Sequence, residues 1–188
     1  MLPRTVILWL IPLLGLAYTP PPQEILSRME TTLRNSAPVV VDIVRENPDG
    51  AVIRERSIRI PAESRADLGV TSGQEISFSL FTLPKEEMVH SLGSLFSAGV
   101  PVSLVRIRGS VCYYLDGGRE RLWLRKSDFT PVKTEIFSPD GGQVTCLYLD
   151  FISLSDHLRY PSRTEVYRDG DIAFVERLVS PSGDTDLP

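Results

Sequence analysis

Four turn signals of nearly one kind punctuate this chain: Asn47-Pro48-Asp49-Gly50, Asp116-Gly117-Gly118, Asp140-Gly141-Gly142 and Asp169-Gly170-Asp171. Glycine beside Asp or Asn supplies the positive backbone angles that a tight hairpin requires. Between these turns, apolar and polar residues alternate with the two-residue period of a half-buried strand. Strands are expected over 39–46, 51–60, 74–83, 102–115, 119–125, 143–152, 163–168 and 172–179. In "LWLRKSDFTPVKTEIFSPDGG" (122–142), one strand turns at Ser127-Asp128 and a second runs on from Pro131. Short connections of this kind join antiparallel neighbours, so the chain reads as a meander. In the second strand Val52, Ile58 and Ile60 share a parity with Arg54 and Arg56, as in a strand that overhangs the core.

Two segments depart from the strand period. Over 24–34, Ile25, Leu26, Met29 and Leu33 make one face of a helix behind a run of three prolines. Over 84–98 a second helix is expected, with Pro84 at its first position, Glu86 and Glu87 at the positive end of its dipole, and Gly99 closing it. Met88, Leu92, Leu95 and Phe96 form its apolar stripe beside Val89. The stretch 61–73 is irregular and no internal repeat stands out. The fold class is therefore α+β: an antiparallel sheet, dry on one face and wet on the other, with two main helices packed on the dry side. Two helices cannot cover eight or nine flat strands spaced about 4.8 Å apart, so the sheet must curl. A curled sheet with helices at its mouth encloses an apolar cavity.

The N-terminus has the form of an export signal. A short positive start at Arg4 precedes the apolar run from Val6, and Gly15-Leu16-Ala17 sets small residues at a cleavage site after Ala17. That run falls short of the ~20 residues that span a bilayer, so a signal peptide is favoured over an uncleaved anchor. No cysteine follows it to carry a lipid. The expected organisation is a signal peptide over 1–17, one domain over 18–179 and a loose polar tail over 180–188, in a soluble, exported, monomeric protein.

Composition and residue content exclude most chemistry. With 42% hydrophobic residues, 23% charged residues and a formal net charge of -4, the chain is globular and lacks the concentrated basic face that nucleic acid demands. His90 and His157 are its two histidines; neither has the close-set ligands of a zinc site, and His90 reads as a solvated helix residue. Ser155-Asp156-His157 contains triad letters, but adjacent loop residues cannot line up as a triad. Asp169 and Asp171 flank a turn glycine and are turn formers. No phosphate-cradling glycine pattern occurs. No catalytic residue, cofactor or metal is expected, and the chain does not read as an enzyme. Export permits a Cys112–Cys146 disulfide, but three strand spacings would separate the pair in a meander, so buried free thiols are preferred. Of the strand arginines Arg54, Arg56, Arg59, Arg106, Arg108, Arg119, Arg121 and Arg125, most are expected on edges or in solvent. One or two are left to hydrogen-bond a ligand headgroup or a helix end.

An exported chain that opens on the helix Ile25-Leu26-Ser27-Arg28-Met29-Glu30 and continues as a long meander resembles the periplasmic outer-membrane lipoprotein carrier proteins, the LolA-like family. The likeness is carried by "LWLRKSDFTPVKTEIFSPDGG" and by "RYPSRTEVYRDGD", and runs over about 24–179. It implies an incomplete β-barrel with helices closing its concave side, and a non-enzymatic carrier that moves acyl chains of lipoproteins or lipids between inner and outer membranes. An inner-membrane transporter and an outer-membrane acceptor are the partners it implies. The same fold serves in envelope-stress sensors, so a regulatory module binding a partner protein is the alternative. The family's lid arginine finds no single match here. The candidate cavity and lid residues are Ile76, Phe78, Leu80, Met88, Leu92, Leu95 and Phe96, with the second helix read either as lid or as ordinary core.

Overall fold

In the computed structural model, which describes residues 19–35, 39–62, 80–97, 99–154 and 159–179, the expected strands join one antiparallel sheet. The export signal over 1–17, the tail over 180–188, His157 and residues 74–79 of the strand expected over 74–83, with Ile76 and Phe78, lie outside the described residues. So does the irregular stretch beyond residue 62.

Helix α1 (Pro22–Arg34) begins two residues earlier than the apolar pattern suggests, because Pro22 takes a first-turn position where its missing N–H costs nothing. It buries Ile25, Leu26, Met29 and Leu33, the face read from the sequence. Strands β1 (Val39–Glu46) and β2 (Val52–Ile60) form the first hairpin. Helix α2 (Lys85–Ser91) and a 3₁₀ helix (Gly93–Phe96) follow. Then come β3 (Val102–Ile107), β4 (Ser110–Asp116), β5 (Glu120–Arg125), β6 (Pro131–Phe137), β7 (Gln143–Ser153), β8 (Arg159–Arg168) and β9 (Asp171–Val179).

The nine strands lie in the order β2-β1-β9-β8-β7-β6-β5-β4-β3. Strands β3 to β9 are consecutive neighbours, as short turns dictate. The first hairpin then docks on the last strand, with Asp42 opposite Val179 and Glu46 opposite Val175. Among the described residues β2 and β3 end the order and do not pair with each other, and the curled sheet is open. Strand β2 overhangs the core as its mixed parity suggests: Ile58 and Ile60 are buried, whereas Val52 is 56% exposed.

Three expectations need correction. The strand expected over 102–115 is two strands, β3 and β4, joined at Arg108-Gly109. Both residues have positive φ, 46° and 82°, as a two-residue hairpin turn requires. The alternation runs on through this turn without a break, and Arg108 is not a residue that announces one. The second helix is not continuous over 84–98. It stops at Leu92 (φ -110°, ψ 20°) before Gly93, and the chain resumes as the 3₁₀ turn. Pro84 is the residue preceding that helix, with extended ψ of 153°, rather than its first member. Finally, Leu80–Leu83 is a turn and bend, not the end of a strand.

Candidate functional site

The dry face of the sheet and the helical layer share one apolar cluster. Strands contribute Val41, Ile43, Ile58, Ile60, Leu122 and Leu124; α1 adds Ile25, Leu26 and Met29; α2 and its continuation add Met88, Leu92 and Leu95. Of the candidate cavity residues, Leu80, Met88, Leu92 and Leu95 are buried in this cluster, and Phe96 packs against it partly exposed. Among the described residues, these side chains pack together between sheet and helices, where the sequence suggests an apolar cavity. Open clefts lie elsewhere. One of about 440 Å³ runs between Thr32 and Asn35 of α1 and the Asp128–Thr130 turn, beside Arg159.

The segment 80–97 is held on the sheet by a few specific contacts. Arg34, in the last turn of α1, donates from Nη1 to Ala62 O (3.3 Å) and from Nη2 to Leu83 O (3.2 Å). It thereby ties Ala62, two residues past β2, to Leu83, two residues before α2. Burial pushes its pKa down, and its Nε is buried without a hydrogen-bond partner. The sequence left open whether one of the strand arginines meets a ligand or a helix end; the arginine that binds these two carbonyls is Arg34, on a helix. Further along, the Leu80 N–H donates to Tyr148 Oη (3.2 Å), which also shares a hydrogen bond with Thr134 Oγ1 (3.1 Å). Phe81 enters a box of Tyr148, Phe151 and Tyr160, with ring centroids 5.1, 5.9 and 5.5 Å away. At the far end the β4–β5 turn comes so close that a Cβ on Gly117 would strike Ser94 Oγ and lie 2.9 Å from Leu95 Cδ2. Ser94 Oγ in turn hydrogen-bonds Glu120. Lys85 and Glu30 add an ion pair at 2.5 Å, largely in solvent and so of little weight.

Two polar features escaped the sequence reading. Arg45 and Glu176 face each other across β1 and β9, with Nε and Nη2 of Arg45 at 3.3 and 2.9 Å from the same oxygen, Oε1. The pair is mostly buried (12% and 4% exposed), and the guanidinium lies 4.0 Å over the Phe174 ring. Desolvating such a pair largely cancels its attraction, so it fixes register more than it adds stability. Arg45 shares the parity of Val41 and Ile43, which is the signal available in sequence; its partner depends on β9 docking against β1. The second feature is Asp128. Its carboxylate accepts from Arg125 Nη1 (2.9 Å) and from the Thr130 N–H (3.1 Å), while its carbonyl accepts from Thr32 Oγ1 of α1 (3.0 Å). Together these bonds stitch the β5–β6 turn to the helix.

Cys112 and Cys146 lie on β4 and β7 with β5 and β6 between them, both buried and neither in a disulfide. The strand count behind the preference for free thiols is the observed one. Burial pushes the Cys146 thiol up to about 12 and Tyr148 well above the ordinary phenol range. His90 is exposed on α2. Among the described residues no three His, Cys, Asp or Glu side chains converge as a metal site would require, and no helix is long and apolar enough to cross a membrane.

No protein-family model matches the chain, and no curated protein matches it in sequence. Solved structures do match in fold. A domain named for outer membrane lipoprotein sorting, from Vibrio parahaemolyticus, superposes with a TM-score of 0.51 at 11% identity, covering 87% of this chain and 93% of that one. A DUF1329 family protein from Desulfovibrio piger gives 0.54 at 13% identity, covering 89% and 93%. A LolA superfamily protein from Nitrosomonas europaea gives 0.45 at 17% identity, covering 90% and 96%, a looser superposition that adds nothing to the argument. At these identities the likeness concerns fold alone. The open curled sheet, with α1 and the α2–3₁₀ segment packed on it, is the fold shared with the Vibrio parahaemolyticus and Desulfovibrio piger structures.

Proposed function

We propose that this protein is a non-enzymatic periplasmic carrier that shelters acyl chains of lipoproteins or lipids between the sheet and its helical layer. The observation that carries this reading is the construction of that layer. A rigid sheet is faced by a short, interrupted helical segment whose inward side chains, Met88, Leu92 and Leu95, are unbranched at Cβ and adaptable. Arg34, the Leu80–Tyr148 hydrogen bond and the Gly117 approach hold that segment at discrete points. Burying an acyl chain yields about 0.8 kcal/mol per CH₂, enough for a long chain to offset release of the segment. On this reading α2 and its 3₁₀ continuation are the lid and Arg34 is its latch. The proposal extends to a signal peptide over 1–17, a carrier domain over 18–179, a monomeric state, and hand-over from an inner-membrane transporter to an outer-membrane acceptor.

Native mass spectrometry of protein purified from the envelope tests the carrier role. Bound lipid is expected; protein that emerges strictly empty and also ignores fluorescent acyl probes refutes it. A regulatory module that binds a partner protein is the second reading, favoured by the exposed apolar residues Val52 and Ile53 on one end strand and Leu104 on the other. Lipid-independent capture of one membrane-anchored partner would support it.

A further inference from the structure

We infer that the aromatic box formed by Tyr148 and Phe151 of β7 and Tyr160 of β8 is a hydrocarbon-binding subsite whose internal occupant is Phe81. Cargo and Phe81 then compete for one place. The inference rests on the carrier reading and names the point at which cargo displaces the protein's own side chain.

The walls and the occupant differ in kind. The walls stand on paired strands, with Tyr148 opposite Thr164, Phe151 opposite Pro161 and Ile152 opposite Tyr160. Their positions are fixed by a ladder that runs from Val144–Arg168 to Ser153–Arg159, with the box close to its Ser153–Arg159 end. The occupant stands on a turn. Phe81 is 4% exposed and meets two of the three rings edge-on, at interplanar angles of 70° and 73°. A phenyl ring in a T-shaped box of this kind makes the contacts an apolar ligand would make. Beside it, Tyr148 Oη accepts the Leu80 N–H, and two residues on, Leu83 O accepts from Arg34. The chain then enters a seven-residue helix that begins without a side-chain cap. A helix so short has little stability of its own, and few-contact segments of this sort open before the sheet beneath them. Among the described residues Phe81 is the buried aromatic side chain that stands outside the strands.

Competition has a measurable consequence. If only the fraction of molecules with Phe81 withdrawn can accept cargo, apparent affinity is reduced by that fraction. Truncating the occupant removes the reduction. In titrations of the full chain with a dansyl-labelled fatty acid, Phe81→Ala is expected to bind about tenfold tighter than the wild type. Phe81→Leu should fall between the two. A folded Phe81→Ala protein, judged by circular dichroism, that binds no tighter overturns the inference and leaves the carrier reading standing. Hydrogen exchange on the wild type provides a test free of folding defects. Saturation with palmitate should speed exchange at residues 80–83, and unchanged or slower exchange there also overturns the inference. If folded wild type and variants alike bind no acyl probe, the carrier reading fails and the subsite fails with it.

Discussion

The seven-strand run from β3 to β9 and the segment 80–97 occupy the same fold under different rules. Each strand of the run is fixed by its neighbours through a continuous ladder. Its turns bring their own geometry, as at Arg108-Gly109 and Asp169-Gly170, where φ is positive at both residues. The segment 80–97 has no such ladder. It comprises a turn, seven residues of α-helix and four of 3₁₀ helix, and neither helix has a side-chain cap. Its place is set by residues distant in the chain: Arg34, Tyr148 and Gly117. The sheet is thus specified locally and the helical layer remotely. On the proposed carrier reading, this remotely held layer is the part of the molecule that cargo displaces.

Matched truncations in the two regions would break this contrast or sharpen it. Leu124 on β5 and Leu95 on the 3₁₀ helix are both fully buried. A core Leu→Ala change costs about 2–5 kcal/mol. Leu124→Ala should fall in the upper half of that range and lower the single denaturation midpoint. Leu95→Ala should fall in the lower half, with faster hydrogen exchange confined to residues 85–97. Equal global losses would mean that the layer is as integral as the sheet. Next in size is Gly117→Ala, which drives a methyl group against Ser94 and Leu95 and should cost about 1–3 kcal/mol while displacing the 3₁₀ helix. Loss confined to the β4–β5 turn would show that the close approach does not hold that helix.

Arg34→Met keeps the apolar stem of the side chain but removes two charge-assisted hydrogen bonds, at a cost of about 1–2 kcal/mol. On the carrier reading it also raises affinity for acyl probes, since the latch is lost; tighter unfolding behaviour with weaker binding would contradict that role. The last test is on the alkaline limb. Burial raises Cys146 to about 12 and Tyr148 above its usual range. Above the ordinary thiol pKa the unfolded chain loses these protons first, so the native state holds more protons and stability falls as pH rises. The full contribution is present below the unfolded pKa and is lost as pH climbs toward the folded values. Cys146 alone should give a slope of about 1.4 kcal/mol per pH unit in that window, and Cys146→Ala should flatten it in urea titrations.

Much of the sheet was legible because its signals are local. The β1 boundaries coincide with the β-branched run over 39–46, and three of the four Asp-Gly or Asn-Pro-Asp-Gly signals close turns between consecutive strands of the final order after residue 102. Local reading failed where a turn lacked its usual letters, as at Arg108, and where a single apolar stripe suggested one helix through Gly93. Met88, Leu92 and Leu95 were recognisable as one inward face. Their partners were not, because Phe81 finds Tyr148, Phe151 and Tyr160 only once β7 and β8 are paired.

The amino-acid sequence by itself determined an antiparallel meander with one dry face, two helical segments to cover it, and cysteines too far apart to bridge. These follow from periods of two and 3.6 residues and from turn chemistry, all of which act over a few bonds. The tertiary structure decided which arginine clasps the helical layer, which aromatic side chain fills the box on β7 and β8, and which carboxylate meets Arg45 across β9. Those choices depend on distances between residues far apart in the chain, and such distances exist only after the sheet has curled and the first hairpin has docked on the last strand.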